Sequence, residues 1–218
     1  MDFWSWDRAG DLLPLLLSGF KIILLITAIS SVIALALGLV IAIINRTAPR
    51  AVTVPLFGVT EFIRNTPLLV QLIFVWYGFA NLLGSSSPEV VGAIVLGVHY
   101  ATYTAEVYRA GIDGVPKGQW EAITALSLPP RYAWQHVILP QALRRVTPAL
   151  GNYIISMFKE VPILFVIGAA EMISEIQAYT GKYFIGAVEG YVMAGLIFLA
   201  ASYPVAIAMR KLETRLGY

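Results

Sequence analysis

Four side chains in this sequence stand where polarity is costly: Gln71, His99, Lys159 and Glu160 each interrupt a stretch made otherwise of aliphatic, aromatic and small residues. Asn65 and Thr66 stand just ahead of Gln71, beside Pro67. These residue types suit one kind of chemistry in an apolar setting, the binding and passage of a polar solute. Catalytic residues and a metal site are not expected, and the absence of cysteine excludes thiolate ligands and disulfides. Lys159 and Glu160 are adjacent, and adjacent residues on a helix do not face each other, so each needs its own partner or water. His99 has two readings, a hydrogen-bonded packing residue or a group beside a path. Glu106 and Arg109, three apart, suit a local ion pair.

The elements that must carry these residues follow from composition. The 218 residues are 58% hydrophobic and 13% charged, against roughly 25% charged in a soluble domain. About twenty apolar residues in a helix cross a bilayer core. The chain is therefore expected to be all-α, a polytopic membrane protein forming one transmembrane domain over residues 1–218. Five spans are expected, at about 22–44, 55–83, 89–110, 146–170 and 183–209. In the first, Gly38 with Ala34, Ala36 and Ala42 gives a face that another helix can approach. In the second, Pro67 should kink or break the helix. Freed backbone groups at that depth must face protein or a water-lined cavity. Either neighbouring helices tolerate a simple kink, or Asn65, Thr66 and Gln71 line a path. A short turn at 84–88 and a polar connection at 171–182 separate later spans. The start, with Asp2, Asp7 and Asp11, lacks the basic region of a signal peptide and reads as a retained end, with Phe3, Trp4 and Trp6 suited to the interface. A net charge of +2 gives no argument for nucleic acid, and no internal repeat is visible.

Basic residues set the orientation. With the N-terminus outside, five crossings place Arg46, Arg50, Lys117, Arg131, Arg144, Arg145, Arg210, Lys211 and Arg215 in the cytoplasm, leaving Arg8, Lys21 and Lys182 outside. The C-terminus and the amphipathic loop at 117–140 are then cytoplasmic. That loop reads as a short helix with Trp120, Ile123 and Leu126 at helical spacing, a break at 127–130 with two prolines, and a second short helix. Too small to bury its apolar side alone, it should rest in a groove of a partner protein, or else on the membrane surface.

The same loop resembles the cytoplasmic EAA motif of ATP-binding cassette (ABC) importer permeases: Glu-Ala-Ala, three residues, Gly, nine residues, then Ile-x-Leu-Pro. Glu121, Ala122 and Ile123, then Ser127, then Val137 to Leu139 and Pro140 keep the spacing. Ile123, Ser127 and Val137 depart from the usual residues. Ser127 matters most, because Gly takes positive φ at a turn and Ser does so reluctantly. The stretches at 61–72, 103–122 and 139–160 are similar to the polar amino acid branch of that family, which serves histidine, glutamine, glutamate, arginine, opines and related zwitterions such as ectoine. Lys159-Glu160-Val161-Pro162-Ile163 replaces the branch's usual Lys-Asp-Thr/Ser-Ser-Leu.

The resemblance implies a type I importer fold with a cytoplasmic coupling helix, in the bacterial inner membrane. Its expected partners are two ABC ATPase subunits, a second permease copy or paralogue, an extracytoplasmic solute-binding protein and an amino-acid-like solute. ATP and Mg would be used by the ATPase, since this sequence carries no Gly-x-x-x-x-Gly-Lys-Ser/Thr phosphate loop; the chain is a pore subunit rather than an enzyme and binds no cofactor. Gly118, Glu121, Ala122, Ile123, Ser127, Leu139 and Pro140 are the expected ATPase-coupling residues. Thr66, Gln71, His99, Lys159 and Glu160 are the candidates for the solute path. Two other classes fit parts of the sequence: an ion-gradient-driven transporter using Glu160 as a proton site, and an adaptor that recruits a soluble partner.

Overall fold

A computed structural model describes residues 4–79 and 87–216, and the described residues are almost wholly helical. Helix α1 spans Trp6–Thr47, α2 Arg50–Asn65, α3 Leu68–Phe79 and α4 Pro88–Asp113. The loop holds α5, Lys117–Ala125, and α6, Pro130–Ala133, which runs through a π-helical turn, Trp134–Ile138, into α7, Leu139–Glu160. A 3-10 segment, Val161–Ile167, follows, then α8, Met172–Tyr183, and α9, Ala187–Leu216. Pro162 lacks an N–H and cannot continue α-helical bonding, which accounts for the tighter 3-10 geometry after Glu160.

Helices α1 and α4 form the spine. Gly38 and Gly97 let them approach: a Cβ on Gly38 would lie 2.9 Å from the Ala101 carbonyl oxygen, and one on Gly97 2.7 Å from Ile33 Cβ. Two hydrogen bonds cross this seam, Thr104 Oγ1 donating to the Ala34 carbonyl at 2.7 Å and Ser30 Oγ to that of Ala93 at 3.1 Å. Hydroxyls and small residues are what join helices in lipid, where apolar surface alone gives no preference for protein over acyl chains. Leu12, Leu16, Ile23, Leu72, Leu96, Met157, Leu164 and Ile176 fill the core between these helices and α3, α7 and α8. Many large apolar residues face outward instead, among them Leu24, Leu25, Val32, Phe62, Phe74, Leu196 and Leu199. That is the surface of a protein whose solvent is hydrocarbon.

Two expected spans have different bounds. The first helix begins at Trp6, not near residue 22. Its early turns place Ala9, Leu12, Leu16 and Gly19 on one buried face, a helical period interrupted to the eye by Asp7, Asp11 and Pro14. Arg8 and the backbone N–H of Ser5 both bind Glu189 of α9 at 2.8 Å, so the charges of this entry are paired rather than barred from helix. The second expected span is two helices in tandem: Thr66 is extended, with φ −105° and ψ 142°, and α3, at about 18 Å, is shorter than a bilayer core. Its expected end at 80–83, most of the turn at 84–88, and Phe3 lie outside the described residues. Four helical segments of the described residues are long and apolar enough to cross a membrane: Trp6–Thr47, Pro88–Asp113, Pro130–Ile167 and Ala187–Leu212. The polar connection at 171–182 is the amphipathic helix α8. Fully buried Glu171 caps it, accepting from the backbone N–H groups of Ile173 at 2.8 Å and Ser174 at 2.9 Å.

Candidate functional site

The break between α2 and α3 leaves the last carbonyls of α2 without helical donors, and side chains take their place. Pro67 has no N–H to offer the Ile63 carbonyl, four residues back. The Gln71 side-chain amide supplies that bond at 2.6 Å and also donates to the Thr66 carbonyl at 3.1 Å and the Thr66 hydroxyl oxygen at 2.7 Å. Thr66 Oγ1 donates to the Phe62 carbonyl at 2.9 Å, and the Tyr103 hydroxyl to that of Arg64 at 3.1 Å. His99 Nδ1 lies 3.0 Å from Gln71 Oε1, and its ring is buried. Thr66, Gln71 and His99, predicted as path residues, thus form one bonded unit around the break.

Beside that unit is an aromatic group that sequence reasoning did not single out. The rings of Tyr100, Tyr103 and Tyr153 lie 5.8–5.9 Å apart, and His99 is 5.6 and 5.3 Å from the first two. Tyr100 stands beside Glu160 at the end of α7 and beside Ser156. Glu160 and neighbouring Lys159 are exposed. Tyrosine faces and a carboxylate so arranged can attract an ammonium group. The sequence signal was present, since Tyr100 and Tyr103 sit one turn apart on the same helix as His99; their contact with Tyr153 was not, because it depends on how α4 crosses α7.

Below the tyrosines, α4 carries a ladder of charge. Arg64 of α2 pairs with Glu61 on its own helix and lies 3.8 Å from Glu106. Glu106 accepts from Arg109 Nε at 2.9 Å, Arg109 lies 3.5 Å from Asp113, and Asp113 accepts from Arg46 of α1 at 2.9 Å. The expected local pair of Glu106 and Arg109 is one rung of this series. Asn45, Phe57, Glu61, Arg64, Glu106 and Arg109 line an open cleft of about 530 Å³.

The loop has its own small core. Trp120, Ile123, Trp134 and Val137 pack on Ile112 and Val115 at the end of α4 and on Ile138 and Ala142 at the start of α7. Trp120 and Ile123 are thus partly covered by the chain itself, because the ends of α4 and α7 meet beneath the loop. Leu126 remains 70% exposed, beside exposed Gly118, Glu121, Ala122 and Tyr132. After α5 the chain turns through a Schellman motif, the N–H of Leu128 donating to the Ile123 carbonyl at 3.1 Å and that of Ser127 to Thr124 at 3.0 Å. Ser127 occupies the left-handed position, φ 49°, which glycine usually fills. Pro130 then opens α6 at a position where its missing N–H costs nothing. Leu139 and Pro140 form the first turn of α7.

Comparisons with known proteins converge. The family described as "Binding-protein-dependent transport system inner membrane component" matches residues 34–218. A probable amino-acid ABC transporter permease protein, y4tG of Sinorhizobium fredii, is 40% identical over 178 residues, 78% of this chain and 77% of its own length. The arginine transport system permease protein ArtQ of Bacillus subtilis is 34% identical over 85% of each chain. Among solved structures, an amino acid ABC transporter crystallised with histidines superimposes with a TM-score of 0.88 and 29% identity, over 98% of this chain and all of that one. The MetNI methionine transporter in an inward-facing form shares the fold at 19% identity, TM-score 0.78.

Proposed function

Because the chain belongs to the family of binding-protein-dependent transport system inner membrane components, we propose that it is a pore subunit of an ATP-driven importer for a polar amino acid or a related zwitterion. The observation that carries this is the end-to-end likeness to an amino acid ABC transporter at 29% identity, supported by relatives named for amino acid, arginine and glutamine transport. In this reading the chain hydrolyses nothing. Two ATPase subunits use ATP and Mg, a second permease copy or paralogue completes the pore, and an extracytoplasmic binding protein delivers the solute. The excess of arginine and lysine at 46–50, 117–145 and 210–215 supports a cytoplasmic loop and C-terminus, with the N-terminus outside.

The loop supplies the ATPase contact. Gly118, Glu121 and Ala122 lie on its exposed surface, with Leu126 as the apolar anchor, while Ile123, Ser127, Leu139 and Pro140 fix its shape. Along the path, Glu160 and the tyrosines receive the solute's ammonium group. Thr66, Gln71 and His99 hold the broken helix that flanks them, and Lys159 offers the complementary charge for a carboxylate. Rigid movement of the loop would then pass to α4 and α7, to which its core is fused.

Reconstituted vesicles test the proposal. Import of a labelled amino acid should require both ATP and the binding protein; import that follows an ion gradient without the ATPase would establish the secondary-transport class instead. Within the complex, Glu121→Lys should weaken ATPase assembly and transport-coupled hydrolysis. Wild-type levels of both would refute the docking role.

A further inference from the structure

Arg46, in the last turn of α1, reaches out of its helix to three groups on three other elements. Its Nη1 donates to Asp113 Oδ1 at the end of α4, at 2.9 Å. Its guanidinium carbon lies 5.6 Å from the ring centre of Trp120 in α5 and 5.6 Å from that of Trp134 in the π-helical turn. The two indoles meet edge to face, centroids 5.7 Å apart and planes at 77°, so one cation can touch both. Both tryptophans belong to the small core of the loop. Asp113 is also the last rung of the series running through Arg109, Glu106 and Arg64 to the break before Pro67.

We propose that Arg46 is a positioning residue that ties α1 to the ATPase-docking loop and makes hydrolysis productive; this rests on the docking role assigned to that loop. The loop's own core fuses it to α4 and α7, so their ends must follow it. Helix α1 touches both tryptophans of the loop through this guanidinium. A planar cation is suited to the task. It slides on an aromatic face with little loss of energy, and it keeps a fixed, directional bond to Asp113. When the loop moves, Arg46 holds the end of α1 in register with that of α4, and the close seam at Gly38 and Gly97 carries the shift along both helices. Without it the loop can still dock, and ATP can still be spent, while the end of α1 beyond the seam follows the loop less closely.

The test uses the full complex of permease, ATPase and binding protein in vesicles, with Arg46→Ala and Arg46→Lys. The readout is solute imported per ATP hydrolysed, measured alongside the yield of assembled complex. For Arg46→Ala the expected result is a normal yield, continued hydrolysis, and a fall in that ratio of about three- to tenfold, the scale of losing one to two cation–π contacts. Arg46→Lys keeps a charge for Asp113 but cannot cover both indoles, and should fall between. An unchanged ratio in assembled Arg46→Ala complex overturns the inference, as does a parallel loss of import, hydrolysis and yield that Lys fully restores, which marks a structural role only. If Arg46→Ala does not assemble, Arg46→Lys decides: a wild-type ratio overturns the inference and a reduced one supports it. Failure of the docking role itself is distinguishable, because Glu121→Lys would then leave assembly and hydrolysis intact.

Discussion

Replacing Ser127 by glycine should tighten the turn between α5 and α6. Ser127 sits at φ 49°, where an L-residue's Cβ crowds the backbone at a cost of about 1–2 kcal/mol. Glycine escapes that cost but loses about 0.5–1 kcal/mol through its greater freedom in the opened state. The net gain is about 0.5–1 kcal/mol. The serine side chain is exposed, and its hydroxyl has no hydrogen-bond partner among the described residues, so the substitution gives up no contact that would cancel the gain. Hydrogen exchange reads such local opening directly. The Leu128 amide, which closes the Schellman turn on Ile123, should exchange about two- to fivefold more slowly in Ser127→Gly, the factor that 0.5–1 kcal/mol implies. Ser127→Val, β-branched at the same φ, should exchange faster than wild type. Exchange in Ser127→Gly as fast as in wild type, or faster, would refute the argument that this turn is strained.

Gly38→Ala should destabilise the seam of α1 and α4 by about 1–3 kcal/mol, since its methyl would meet Thr104 Oγ1 and lie 2.9 Å from a backbone oxygen. A lower melting temperature in detergent, only partly restored by Thr104→Ala because the Ala101 carbonyl remains, is the expected result. Glu171, between the last two candidate spans, gives a pH effect. Burial pushes its carboxyl above the ordinary range, while the N–H groups of Ile173 and Ser174 and the Ser174 hydroxyl pull it back only in part. A carboxyl raised on folding adds stability below its unfolded pKa and loses that contribution as pH rises through the folded value. Wild type should therefore gain stability relative to Glu171→Gln as pH falls from neutral into the carboxylate range; a difference independent of pH would contradict this.

What the sequence disclosed and what it hid divide along physical lines. The helical class, the break at Pro67, the rung of Glu106 and Arg109, and the helix-turn-helix of the loop all depend on neighbours within one or two turns, and those neighbours are readable in order. Helix α1 begins well ahead of its expected span, in a stretch whose charges have no evident partner among their neighbours in sequence. The partner that admits Arg8 is Glu189, some 180 residues away. The tyrosine group and the Arg46 contacts were hidden for the same reason, since each joins elements whose crossing no local period encodes. The fate of Trp120 and Ile123 is a subtler case. Their spacing correctly marked an apolar face, but spacing alone does not say whose surface covers it.

The break before Pro67 shows why these hidden contacts belong together. Irregular backbone at membrane depth survives only where protein groups replace the missing helical bonds. Here Thr66 bonds back to Phe62, Gln71 to Ile63 and Thr66, and Tyr103 to Arg64, so the chain ends of α2 are satisfied from α3 and α4. Gln71 is in turn oriented by His99, and His99 and Tyr103 stand four apart on α4, one turn above Glu106. A straight helix through residues 55–79 would need none of these donors and would have no reason to carry Arg64 against Glu106. The break therefore accounts for both sets of polar residues on one face of α4, the hydrogen-bonding ones that close it and the charged ones beyond them that its altered direction brings into reach.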